Sequence, residues 1–190
     1  MRTLTYYVAT TLDGFIADPS GGFDFFPVPD ELVVSVLVEE FPETIPTQAR
    51  AHLGIDPPNK NFDAVVMGRR TWEPSLADGV TSSYQHLKQY VFSTTMSAAP
   101  DETVTLVDSD PLAYVRDLKQ QDGAGIWLCG GGSLAGALLP EIDELVLKVN
   151  PIVAGDGVPL FRTGFEPYYF EPAESRTVCG VTINRLTARR

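Results

Sequence analysis

At 190 residues the chain is long enough for one domain with a substantial core. Its formal net charge is −11, and between Arg2 and Arg50 there is no Lys or Arg against the acids Asp13, Asp18, Asp24, Asp30, Glu31, Glu39, Glu40 and Glu43, so nucleic acid is excluded as a partner. No apolar run reaches the length of a membrane span and no basic-then-apolar leader opens the chain, which predicts a cytoplasmic protein with no membrane partner. Cys129 and Cys179 both lie in apolar, strand-like surroundings and read as buried free thiols. His52 and His86 are isolated and neither cysteine has a CxxC partner, so no metal site is expected and both histidines read as surface residues or incidental packing.

Residues 4–10 are apolar and rich in Tyr, Val and Thr, which predicts a first, buried strand. Asp13-Gly14 marks a turn, and Phe15-Ile16-Ala17 leads into a long loop punctuated by Pro19, Gly21, Gly22, Pro27 and Pro29. The loop carries Phe23, Phe25 and Phe26, and reads either as a lid or as a connection whose phenylalanines pack on the core. Residues 30–40 predict a helix with Asp30 as its cap and Leu32, Val33, Val36 and Leu37 as an apolar stripe. Its valines leave that helix dependent on packing. Residues 41–61, broken by Pro42, Pro46, Pro57 and Pro58, read as an excursion from the core, with a short helix over residues 47–53 ended by Gly54.

Strands are predicted over residues 62–67, 88–93 and 103–107. Asp108 or Ser109 caps the next helix, Pro111 suits its first turn, Leu112, Val115 and Leu118 line it, and Gly123 ends it. Ile126-Trp127-Leu128-Cys129 is a further buried strand, running into Gly130, Gly131 and Gly132 and a helix from Ser133 with Leu134, Leu138 and Leu139 on one side. Residues 144–149 form another strand, followed by Pro151 and the turn Gly155-Asp156-Gly157. Residues 168–173 and 177–186 close the chain as an antiparallel hairpin. Strands alternating with helices predict an α/β fold with a mainly parallel sheet and a C-terminal antiparallel hairpin, and no linker divides residues 1–190.

Three strand ends carry related chemistry. Gly68, Arg69, Arg70 and Thr71 follow the second strand, Ser93 and Thr94 the third, and the three glycines the fifth. In a parallel sheet these ends share one edge, where ligands bind. Two arginines, two hydroxyl groups and two helix starts suit a dinucleotide with an additional phosphate. Taken singly, the arginines read as an exposed basic pair and the glycines as a tight turn.

Val65-Val66-Met67-Gly68-Arg69-Arg70-Thr71-Trp72-Glu73 resembles the cofactor motif of dihydrofolate reductases. Val91-Phe92-Ser93-Thr94 resembles their next strand, and Trp127-Leu128-Cys129-Gly130-Gly131-Gly132-Ser133-Leu134 their glycine motif. From Asp143-Glu144-Leu145 through Pro151-Ile152-Val153-Ala154-Gly155-Asp156-Gly157-Val158-Pro159-Leu160-Phe161 the chain is closer to the riboflavin-pathway pyrimidine reductases, the RibD C-terminal-domain family. Ala9-Thr10-Thr11-Leu12-Asp13-Gly14-Phe15-Ile16-Ala17 fits both.

The resemblance implies a dihydrofolate-reductase-like three-layer α/β/α fold, NADPH as cofactor and a homodimer. Carried over, Arg69, Ser93 and Thr94 hold the 2′-phosphate with Arg70 beside them. Gly68, Thr71, Gly130, Gly131, Gly132, Ser133 and Leu134 cradle the diphosphate, and Ala9 and Ile16 face the nicotinamide. It also implies a cis peptide between Gly130 and Gly131. The acid that folate reductases place on their first helix corresponds to Glu31, with Asp30 adjacent. Glu31 reads equally as a substrate-binding acid and as a solvated first-turn residue. Where folate reductases have an arginine for the glutamate tail, an aromatic residue after the acid and a threonine on a later strand, this chain has Leu87, Ser35 and Leu147. The expected activity is NADPH-dependent reduction of a small heterocyclic or carbonyl substrate. Dihydrofolate or 5-amino-6-(5-phosphoribosylamino)uracil reduction, and a non-catalytic NADPH-binding regulatory module, are the alternatives.

Overall fold

A computed structural model describes residues 1–189. The first strand, β1 (Leu4–Thr10), lies inside an eight-stranded sheet, and the short β2 (Phe15–Ala17) follows it. α1 (Asp30–Leu32) is a single turn that widens into a π-helix over Val33–Val38. The predicted α-helix over residues 30–40 is corrected on two points. Pro29, not Asp30, occupies the N-cap, with no side-chain cap bond, and most of the segment is π-helical. Two features account for the widening: a run of β-branched valines, and the Ser35 hydroxyl donating to the Glu31 carbonyl at 2.7 Å.

A 3₁₀ turn (Pro42–Thr44) and α2 (Thr47–Leu53), ended by Gly54 in the left-handed region, fill the proline-punctuated stretch. This excursion is fastened to the core. The buried Glu43 carboxylate accepts the backbone N–H groups of Asn61 (2.7 Å), Phe62 (2.9 Å) and Lys60 (3.2 Å). His86, expected as a surface residue or incidental packing, is half-buried, its Nε2 lying 2.8 Å from the Glu43 carbonyl oxygen. Burial is the main cause holding its imidazole below the usual histidine range.

β3 (Phe62–Gly68), α3 (Arg69–Ala77), β4 (Lys88–Phe92), β5 (Val104–Val107) and α4 (Pro111–Gln120) follow in turn. Asp110 caps α4, accepting from Ala113 N at 3.1 Å and Leu112 N at 3.4 Å, in place of the expected Asp108 or Ser109. The helix stops at Gln120, before Gly123, which packs against the Arg2–Asp63 ion pair. β6 (Gly125–Gly130), α5 (Gly132–Leu138) and β7 (Glu144–Val149) complete the parallel part. β8 (Val158–Pro159) pairs with β2, and β9 (Phe170–Val178) and β10 (Val181–Ala188) form the antiparallel hairpin. The turn between them holds Cys179 at φ +48 and exposed, so only Cys129 of the two thiols sits inward.

The strand order is β5-β4-β3-β6-β1-β7-β10-β9, parallel as far as β7. β10 runs antiparallel to β7. Side chains alternate between the two faces of the sheet. Leu4, Tyr6, Val66, Ile126 and Leu128 pack on one face with Val115 and Leu118 of α4 and Leu134 and Leu138 of α5. Tyr7, Val65, Met67, Trp127 and Val146 pack on the other with Leu32, Val36, Phe41 and Trp72. This is the three-layer α/β/α arrangement. Among the described residues no helix is long and apolar enough to cross a membrane.

Candidate functional site

The two edges of the parallel sheet differ in kind. At the amino-terminal edge, charges are matched: Arg2 pairs with Asp63, and Lys119 lies 2.8 Å from Asp143 and 3.3 Å from Glu141. At the carboxyl edge, backbone turns meet with little side-chain bulk between them. A β-carbon added at Gly68 would lie 3.8 Å from the Gly130 carbonyl oxygen and 3.8 Å from the Gly131 nitrogen. The β3–α3 and β6–α5 turns are therefore neighbours. Thr71 Oγ1 sits over the same point, 3.5 Å from where a Gly131 β-carbon would be, and Ile16 Cδ1 lies 3.9 Å from that position.

The Gly130–Gly131 peptide is cis, as the resemblance implied, with Gly130 at φ +140. The N-caps of α3 and α5 are Gly68 and Gly131, and neither helix start has a side-chain cap bond. First-turn N–H groups left without such a partner favour an anion. Ser133 is exposed on the first turn of α5, whereas Leu134 is turned into the core and backs Gly68, its β-carbon 4.0 Å from the added one.

Gly68 registers with Phe92, so Ser93 and Thr94 leave the sheet beside Arg69. The Ser93 hydroxyl is buried and accepts from Thr95 N (3.3 Å) and Met96 N (3.2 Å), shaping its own turn, while Thr94 is exposed. Arg69 makes an i,i+4 ion pair with Glu73 at 3.4 Å, and Arg70 is exposed. A half-exposed pair of this kind is weak enough to exchange for a phosphate.

Loops from both halves of the chain are clamped together here. The Asp13 carboxylate accepts from the Thr11 hydroxyl (2.6 Å), Gly155 N (2.7 Å) and Ala154 N (3.1 Å). These bonds, the Thr11 hydroxyl first, hold its pKa down at about 2. The aromatic loop is not packed away: Phe23 is 57% and Phe25 38% exposed, and the Phe25 and Phe26 rings lie 4.4 Å apart. That leaves the loop available as a cover.

The acids Asp30 and Glu31 are exposed at the rim, and Glu31 accepts from the Cys179 thiol at 3.1 Å. Lys148, by contrast, was not singled out from sequence. It pairs with Ala9 across β1–β7 and with Ile183 across β7–β10. Its Nζ lies 3.9 Å above the Tyr7 ring centroid. Burial pushes its ammonium down to about 8, and burial likewise pushes the neighbouring Cys129 thiol up to about 12. A lysine as the last inward residue of an apolar strand gives little sequence signal, because at strand ends lysines ordinarily face water.

Residues 2–183 match the family model described as the RibD C-terminal domain. The chain belongs to the RibD C-terminal domain family. The chain is 31% identical over 163 residues to the uncharacterised Bacillus subtilis (strain 168) protein YwjB, covering 85% of this chain and 83% of that one. The uncharacterised YyaP of the same strain is 27% identical over 84% of this chain and 80% of its own length. A putative riboflavin biosynthesis protein from Shewanella sp. PV-4 superposes with a TM-score of 0.72 at 27% identity, with 100% of both chains covered. The Thermotoga maritima diaminohydroxyphosphoribosylaminopyrimidine deaminase/5-amino-6-(5-phosphoribosylamino)uracil reductase shares the fold at a TM-score of 0.64 and 15% identity, over 99% of this chain and 57% of that one. Membership in the RibD C-terminal domain family supports an oxidoreductase of the dihydrofolate-reductase-like type.

Proposed function

We propose that the protein is a cytoplasmic, single-domain, NADPH-dependent reductase acting as a homodimer on a small heterocyclic or carbonyl substrate. The observation that carries this reading is the meeting of Gly68, Thr71 and the Gly130–Gly131 turn, an open backbone cradle between two helix starts that lack side-chain caps. Added β-carbons at Gly130 and Gly131 would meet little besides Thr71 Oγ1 and Ile16 Cδ1, so there is room for a diphosphate against bare backbone. The exposed Ser133 continues the cradle, and the buried Gly132, packed against the Pro159 carbonyl, backs it. Arg69 and Arg70 open α3 at the end of β3, and Ser93 and Thr94 follow the neighbouring β4, which supports reading the four as the site of an additional phosphate. Ala9 and Ile16 line the direction in which the nicotinamide would lie. The cofactor supplies a hydride when bound, and the chain's residues bind, orient and exclude water.

Titration of protein fluorescence with NADPH and NADH tests the cofactor. Arg69→Ala is expected to weaken NADPH binding by about 1.5–3 kcal/mol, the range for charge-assisted hydrogen bonds, and to leave NADH nearly unchanged. Equal losses for both cofactors would remove Arg69 from phosphate recognition. A screen of reducible heterocycles, following NADPH absorbance, tests the activity, and light scattering tests the dimer.

Glu31 and Asp30 enter the reading as acids at the rim, able to accept hydrogen bonds from the N–H groups of a heterocycle. Glu31→Gln is expected to raise KM for such a substrate while NADPH affinity and the melting temperature hold. Unchanged kinetics on a substrate found in the screen would strike Glu31 from the site.

A further inference from the structure

We propose, resting on the reductase reading above, that Lys148 is the proton-donating catalytic residue and that it selects substrates whose reducible bond ends in a carbonyl oxygen or a ring nitrogen. Three geometric facts support this. Lys148 sits one strand over from Ala9, in register with it, on the face that also carries Tyr7 and Cys129. Its Nζ lies over the Tyr7 ring, and among the described residues it has no carboxylate or hydrogen-bond acceptor. The residue nevertheless keeps some exposure, although the ammonium itself is buried.

The groups around it do not neutralise it. On β1 and β6 it faces the Tyr7 phenol and the Cys129 thiol, and burial holds both above their ordinary ranges, so both stay neutral. Tyr84, on the stretch before β4, is raised by burial first and then by Cys129. On the covering helical segment, Glu31 is engaged by Cys179 and Glu40 by Arg176. On β10 the paired residue is the apolar Ile183, and Arg185 is spent on Glu144 at 2.5 Å. A charge so placed costs the fold stability and has no structural partner to offset it. Its lowered pKa of about 8 suits a group that gives up a proton near neutrality.

The step balances as follows. NADPH, held by Gly68, Thr71 and the Gly130–Gly131 turn, would supply the hydride to the carbon of a C=N or C=O bond and would leave as NADP⁺. The electron pair of the broken π bond moves to nitrogen or oxygen and takes a proton from the Lys148 ammonium. The neutral amine recovers its proton from water.

The test uses the full chain. In competitive labelling of amines with acetic anhydride across a pH series, Lys148 is expected to titrate near 8, below the ordinary lysine value. Labelling of Lys148 is expected to fall at least tenfold when 7,8-dihydropterin is added, with or without NADP⁺. Lys148→Met is expected to melt at a higher temperature than the parent at pH 7, since a buried charge is removed. That gain shrinks as pH rises through 8 toward 10, where the native amine is neutral but the unfolded one is still protonated. A Lys148 midpoint at the ordinary lysine value, no protection by dihydropterin, or a lowered melting temperature in the variant would each overturn the proposal. NADPH titration of parent and variant keeps the two readings apart. Failure of NADPH to bind the parent, with Lys148 protected by dihydropterin alone, defeats the cofactor assignment and leaves Lys148 at the substrate.

Discussion

Glu43→Ala is expected to lower the unfolding free energy by about 3–5 kcal/mol, a large share of the roughly 5–15 kcal/mol that domains possess. The side chain is fully buried and among the described residues has no basic partner, yet three consecutive backbone N–H groups, those of Lys60, Asn61 and Phe62, converge on its carboxylate. Truncation leaves these donors facing a cavity. Phe62 N is buried and has no access to water, while the donors of Lys60 and Asn61 recover part of the loss by hydration. Glu43→Gln is expected to fall between, because an amide offers one acceptor oxygen and turns an N–H toward another N–H. Urea unfolding of the three proteins measures this directly. A loss below about 1 kcal/mol for the alanine variant would show that the excursion is held by other contacts, such as Arg50 donating to the Pro42 carbonyl at 2.8 Å.

Gly136→Ala reverses the usual rule. In a helix interior alanine should be better than glycine by roughly 0.8–1 kcal/mol. Here a β-carbon would overlap the Arg162 carbonyl oxygen and lie 2.8 Å from the carbonyl carbon. The segment after β8 crosses α5 at this point, tied by Arg162 N donating to the Gly132 carbonyl at 2.9 Å, and Gly132 itself has no room under the Pro159 carbonyl. Overpacking at about 1–3 kcal/mol, with about 1 more for the displaced hydrogen bond, gives an expected loss of about 3 kcal/mol. A stabilised Gly136→Ala variant in thermal unfolding would show that this strap lifts away freely.

Both positions mark where sequence reading stopped. The apolar runs of β1, β3, β6 and β7 and the glycine turn were legible because burial and backbone freedom leave local signatures. Glu43 has none: an acid in a proline-rich stretch looks solvated until the chain beyond it folds back. Gly136 reads as a small residue in a helix, and only the crossing of residues 158–162, contributed by a later loop, explains it. Ser35 stood out in the sequence only as the residue in place of an aromatic one, and its bond to the Glu31 carbonyl in the widened segment had no local signature. Cys179 misled in the opposite sense, since apolar neighbours on both sides suggested burial and the hairpin places it at its tip. In the site, motif positions came together as expected at Gly68, Thr71, Ile16 and Gly130. Lys148 became visible only through the register that sets it beside Ala9.

The position of β1 in the sheet has a consequence during synthesis. It leaves the ribosome ahead of both its neighbours, which come from residues 126–128 and 144–149. At roughly 5–20 residues per second, on the order of ten seconds pass before either arrives. Throughout that interval Leu4, Tyr6 and Tyr7, all destined for the core, have no strand to join. Pairing β1 must then close loops of more than a hundred residues on both sides, which slows folding by topology alone. The nascent chain is accordingly a candidate client for holding chaperones until β7 is made, and a ribosome-stalled chain ending at residue 143 should stay bound to them where the full-length chain is released.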